Sequence, residues 1–128
     1  MSDADVVCLQ EVSPLSFQED FAFMKDELGY DGMEMFRKGR FRPATFWKSS
    51  RCQLAAPVVH KDRTMLTAFR LEPQQLQRNT PHPQPERIWH VLNCHLQAGK
   101  EGKRRLRQIN AGVRAVMTLS KKLQGELW

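Results

Sequence analysis

Apolar residues are bunched near the start of the chain and spaced out near its end. Val6, Val7, Cys8 and Leu9 form a run that resumes at Val12. Such a run predicts a strand over 5–12, covered on both faces. Phe17, Phe21, Met24 and Leu28 then recur at steps of four, three and four, which puts them on one helical face. Ser13 can cap this helix, Pro14 suits its first turn, Ser16-x-x-Glu19 has capping-box spacing, and Gly29 is a natural stop.

From Gly32 to Leu71 the period shortens. Ala44–Trp47 and Met65–Phe69 read as strands, joined through Arg42-Pro43 and His60-Lys61-Asp62. Residues 72–87 hold four prolines and almost no large apolar side chain, which predicts an irregular surface loop inside one domain. Ile88–Leu96 is a further strand. A second helix runs from near Lys103 to about Leu123, with a buried stripe of Leu106, Ile109, Val113, Val116, Leu119 and Leu123. The order βα, several strands, βα predicts a mixed α/β (α+β) chain in which helices pack on sheets.

Length and composition narrow the class. At 128 residues and 41% hydrophobic content the chain is one domain able to form a core. No segment approaches the ~20 apolar residues of a membrane span, and the acidic N-terminus lacks the basic region of a secretory signal. Cys8, Cys52 and Cys94 lack zinc spacing, and two lie in apolar runs, which suggests buried, reduced thiols in an intracellular protein, cytoplasmic or nuclear.

Charge is unevenly distributed. The net charge is +6, yet residues 1–35 carry nine acids against Lys25, and residues 98–128 carry eight bases against two acids. The basic half suits a polyanionic partner such as nucleic acid, and equally suits a solvated helix face.

Few residues stand out as chemical. Glu11 ends the first strand, where open sheets gather functional groups, and its carboxylate is a hard ligand suited to Mg²⁺ or Mn²⁺. A glutamate at a strand end is also commonly just solvated. Alternation puts Asn93 and His95 on one face of their strand, opposite His90 and Cys94. That face could bind a phosphate oxygen or donate a proton to it; a core histidine satisfied by a carbonyl would give the same pattern. Opposed faces argue against zinc held by His90, Cys94 and His95. Arg104 and Arg105 open the second helix and suit anions, and residues 37–42 (RKGRFR) mix cations with an aromatic, which suits phosphate contact and base stacking. A glycine-rich phosphate loop, a GxSxG elbow and an HExxH pair are absent from the sequence.

Taken in order, DADVVCLQEV, GYDGM, ATFWKSSRCQL, NCHLQAG and RRLRQI resemble the endonuclease/exonuclease/phosphatase (DNase I-like) superfamily, in its nocturnin-like deadenylase branch, over about residues 3–118. The resemblance implies a four-layer αββα sandwich and a Mg²⁺-dependent phosphodiesterase acting on RNA or DNA. It implies Glu11 as metal ligand, His95 as phosphate contact and Asn93 beside it as a substrate contact, with Gln10 supporting them. Phosphoinositide- or sphingomyelin-type substrates and a non-catalytic basic module for nucleic acid or phospholipid are the alternatives.

The departures are as informative. Cys94 replaces a threonine, and Arg42-Pro43 replaces a Gly-Cys-like pair. No aspartate follows Asp62, so the family's Asp-x-Asn and Asp-His motifs have no counterpart. Residues 1–128 therefore read as about the first half of such a domain, without its first strand and second sheet, and inactive by itself. That reading predicts an exposed inner sheet face bearing Phe46, Trp47 and Phe69, and self-association through it.

Overall fold

The computed structural model describes residues 3–71 and 87–126. The proline-rich stretch lies outside the described residues except for Arg87. The described elements are β1 (Val6–Val12), α1 (Phe17–Asp26), β2 (Gly32–Met35), β3 (Arg42–Trp47), β4 (Cys52–Leu54), β5 (Val59–Lys61), β6 (Thr64–Leu71), β7 (Ile88–Cys94) and α2 (Gly102–Glu126). They form two antiparallel sheets and two helices, a mixed α+β arrangement.

The first sheet has the order β1-β3-β2. In the second, β6 pairs with β4 and β5 at its two ends along one edge, and with β7 along the other. Side-chain alternation separates the layers. On β3, Ala44 and Phe46 pack with Phe17 and Met24 of α1, whereas Trp47 meets Phe69 of β6 at 5.3 Å between ring centroids. On β6, Leu66 and Ala68 turn to the other side and pack with Leu119 and Leu123 of α2. The order is thus α1, first sheet, second sheet, α2.

This stacking overturns four expectations. The first sheet's inner face is covered: Trp47 is 7% exposed because β6 of the second sheet lays Phe69, 0% exposed, against it, while Phe46, 2% exposed, faces α1 instead. Self-association through that face therefore loses its basis. β1 is an edge strand, only half-buried, and Cys8 is exposed rather than core. Cys52 is buried and Cys94 partly so, and burial pushes both thiols up.

Helix boundaries follow local chemistry. α1 starts at Phe17 after Ser16, and Ser13 does not cap it; the Ser16 hydroxyl donates to Asp20 Oδ2 at 2.5 Å instead of closing the capping box. Gly29 takes φ 79 just past the end. α2 occupies the predicted span but presents a different face. Only Val116, Leu119 and Leu123 of the predicted stripe pack inward, and Leu106, Ile109 and Val113 are exposed. The helix leans on the sheet through Gly112, where an added Cβ would come within 2.8 Å of Leu92 Cδ2, and through the fully buried Gln108. Close backbone approach at a glycine sets the rotation and turns the upstream aliphatic residues to solvent.

Candidate functional site

β1 ends in an irregularity that decides where Glu11 points. Val6 to Leu9 pair with Trp47 to Ala44, and then Val12 pairs with Arg42. Gln10 and Glu11 thus oppose Pro43 alone, which is a β-bulge. Glu11 takes φ 57, a left-handed conformation that costs a side-chain-bearing residue energy. Alternation alone would aim it at α1 beside Val7 and Leu9. Instead Oε1 stands 3.5 Å from Nε2 of His95.

His95 follows β7 directly and is held from two sides. Its backbone N–H donates to the Arg63 carbonyl at 2.9 Å. Arg63 and Asp62 form the two-residue turn between β5 and β6, both at positive φ as the twist of a tight hairpin favours. The ring Nδ1 lies 3.3 Å from the Phe41 carbonyl. A carbonyl only accepts, so Nδ1 carries the proton, and Nε2 is left facing the carboxylate. Nε2 and Oε1 then need a proton or a cation between them. Glu11 is 73% exposed at its side chain and His95 25%, so the pair is open to solvent.

Asn93 is different in kind. It is 2% exposed. Its Nδ2 lies 3.0 Å from the Ala44 carbonyl and 3.2 Å from both the Leu9 carbonyl and Thr45 Oγ1. Its Oδ1 accepts from Gln10 Nε2 at 2.8 Å. Both ends of the amide are engaged, across both sheets, within two residues of Glu11 and His95 in their strands. Asn93 therefore acts on the site as the clamp that seats β7 against the bulge. A second polar bridge joins the sheets at β2 and β5, where His60 Nε2 meets Glu34 Oε1 at 3.1 Å.

The β2–β3 loop borders the pair. Phe41, whose carbonyl meets His95, is 53% exposed, and the Arg40 guanidinium lies 5.5 Å from its ring centroid. The Arg42 Nε donates to the Gly39 carbonyl at 2.6 Å, folding the loop on itself. The Phe41 carbonyl thus joins to His95 a loop that carries four cations over residues 37–42.

The start of α2 serves the loop after His95. Arg105 Nη1 donates to the carbonyls of Gln97 and Gly99, at 3.3 and 2.5 Å. Gln108 Oε1 accepts from the Gln97 N–H at 2.9 Å, and its Nε2 reaches Asp62 Oδ1 at 3.4 Å. Arg104 is exposed. The structure joins Glu11, His95, Asn93 and Gln10, and leaves Arg104 and Arg105 outside that group. Gln108 escaped notice in the sequence; a lone glutamine in the apolar register of a helix was the available signal.

Among the described residues no group of three or more His, Cys, Asp or Glu side chains is placed to hold a metal ion. Glu11 offers one solvent-facing carboxylate, which fits a hard cation that completes its shell with water and phosphate oxygens. No protein-family model, curated protein or solved structure matches this chain.

Proposed function

We propose that Glu11 and His95 form the metal- and phosphate-binding part of a Mg²⁺-dependent phosphodiesterase site that takes nucleic acid. The observation that carries this reading is the bulge. A left-handed glutamate is an uncommon feature, and strained residues of this kind concentrate at functional sites. Here the strain turns a carboxylate away from the α1 layer and toward an imidazole whose tautomer a carbonyl already sets.

In this reading Glu11 holds the cation, and His95, protonated at Nε2 as well as at Nδ1, donates from Nε2 to a phosphate oxygen. The cation's contribution is to polarise the phosphate and offset developing charge. Residues 37–42 hold the anionic backbone, and Phe41 gives a base a surface to stack on. Asn93 and Gln10 hold the two strand ends in place. The chain has no aspartate after Asp62, so water activation has no candidate among its own residues comparable to that of the resembled family. Ligand binding is therefore the property to measure.

Mg²⁺ titration followed by amide NMR tests this. The Glu11, Val12 and His95 signals should shift together, and Glu11→Gln should abolish the shift while the rest of the spectrum is kept. An unchanged metal response in Glu11→Gln sinks the assignment. A second reading, a basic module that binds polyanions without metal, is favoured by α2, which carries seven cations and no acid over residues 102–125. It predicts oligonucleotide affinity that falls steeply with salt and ignores both Mg²⁺ and Glu11→Gln.

A further inference from the structure

The exposed face of α2 is not that of an ordinary solvated helix. Leu106, Ile109, Val113 and Met117 follow one another at helical spacing and are 60%, 39%, 45% and 56% exposed. Lys103, Arg107, Arg114 and Lys121 form an exposed column alongside them. Four aliphatic side chains in one row go beyond the scattered apolar residues of a normal surface. A nucleic-acid backbone would pair with the column but has no use for the row.

The complementary surface is on the other side of the same molecule. Between α1 and β2 lies a groove of about 330 Å³ with a mixed polar and apolar lining that includes Phe17, Phe21, Met33 and Phe46. Asp26 and Asp31 line it with one cation, Lys25. The backbone N–H of Ser49, donating to the Asp31 carboxylate, holds that group below its usual range. Glu19, Asp20 and Glu27 are exposed on or just after the same helix. The groove lies on the outer side of the first sheet and α2 on the outer side of the second, so one copy cannot close the contact on itself.

We propose that α2 of one copy docks its Leu106–Met117 row in the α1–β2 groove of a second copy, with Lys103, Arg107 and Arg114 over the acidic rim. The contact is heterologous, so association proceeds head to tail. It is independent of the metal site.

Sedimentation velocity on the full chain, over a concentration series in low salt and in about 0.5 M salt, provides the test. The native chain should sediment faster as concentration rises, and less so in high salt. Val113→Glu and Met33→Lys, each checked by circular dichroism, should each be monomeric, one with a spoiled row and the other with a spoiled groove. Mixed in equal amounts they should give a 1:1 dimer and nothing larger, because one intact groove meets one intact row. Arg107→Glu should weaken native association severalfold, and Asp26→Lys in the same chain should restore it. A native chain that stays monomeric overturns the proposal, as does a mixture that fails to dimerise or association that survives both variants. Anionic phosphatidylserine vesicles are the competing occupant. If they capture a monomeric native chain but not Val113→Glu, the row is a membrane contact and the proposal fails.

Discussion

The space between the two sheets has two ends of opposite character. At one end Trp47, Cys52 and Phe69 pack together with Val6 and Val91. At the other, Asn93, Gln10 and Thr45 are linked by hydrogen bonds, with the Glu34–His60 bridge at its side. Three strands, β1, β3 and β7, contribute to both ends. The apolar end supplies burial, which is strong and non-directional. The polar end supplies direction, because each amide contact holds only at one distance and angle. Glu11 and His95 emerge from the polar end, where position matters more than adhesion.

The largest expected effect lies at the apolar end. Phe69→Ala should lower unfolding free energy by about 3–5 kcal/mol in urea titration. It should leave the Glu11 and His95 amide signals in place in whatever fraction stays folded. A loss below about 1 kcal/mol would show that the Trp47–Phe69 contact is not core. Asn93→Ala comes next, at about 1–3 kcal/mol, because the Leu9 and Ala44 carbonyls and the Gln10 amide lose their shared partner. It should displace the His95 and Glu11 resonances, which Phe69→Ala does not. If the two variants perturb the site equally, the division between the ends is wrong.

Glu11→Gly changes stability in the opposite direction. Glycine accepts φ 57 freely, so the variant should gain up to about 1 kcal/mol while losing the carboxylate. A destabilised Glu11→Gly would mean that the bulge is held by the side chain and carries no strain. His90 gives the smallest effect and serves as the control away from the site. Burial holds its pKa below the ordinary histidine value, and its buried Nδ1 has no hydrogen-bond partner among the described residues. The unfolded chain then binds protons more readily than the folded one, so stability falls as pH drops through about 6.5 and levels off below the folded pKa. His90→Phe should flatten that part of the pH–stability curve without moving the Glu11 signal. An identical curve in the variant would remove His90 as its source.

The residues of the candidate site could be picked out of the sequence one at a time. The polar face of β7 placed Asn93 and His95 together, and the strand end singled out Glu11. The distinction between those two roles was not legible. Asn93 looked like a ligand contact because a polar side chain in a strand carries no mark of whether its partner is substrate or another sheet. Gln10, expected to support the site, carried no sign that its partner is Asn93, and Gln108 carried no mark of its partners either.

The chain's local patterns determined the strands around Val6–Leu9, Ala44–Trp47, Met65–Phe69 and Ile88–Cys94, both helices, and the stop at Gly29. Periodicity and turn chemistry act over a few residues, so they survive without a partner. Only the tertiary structure decided the bulge that aims Glu11, the pairing of sheets that buries Trp47 against Phe69, and the face of α2 that meets the second sheet. Each of these depends on a residue far along the chain. Pro43 sits alone opposite Gln10 and Glu11, β6 delivers Phe69 to Trp47, and Leu92 admits the helix only at Gly112. Such matches are made by shape and hydrogen-bond geometry between distant segments, which no local pattern records.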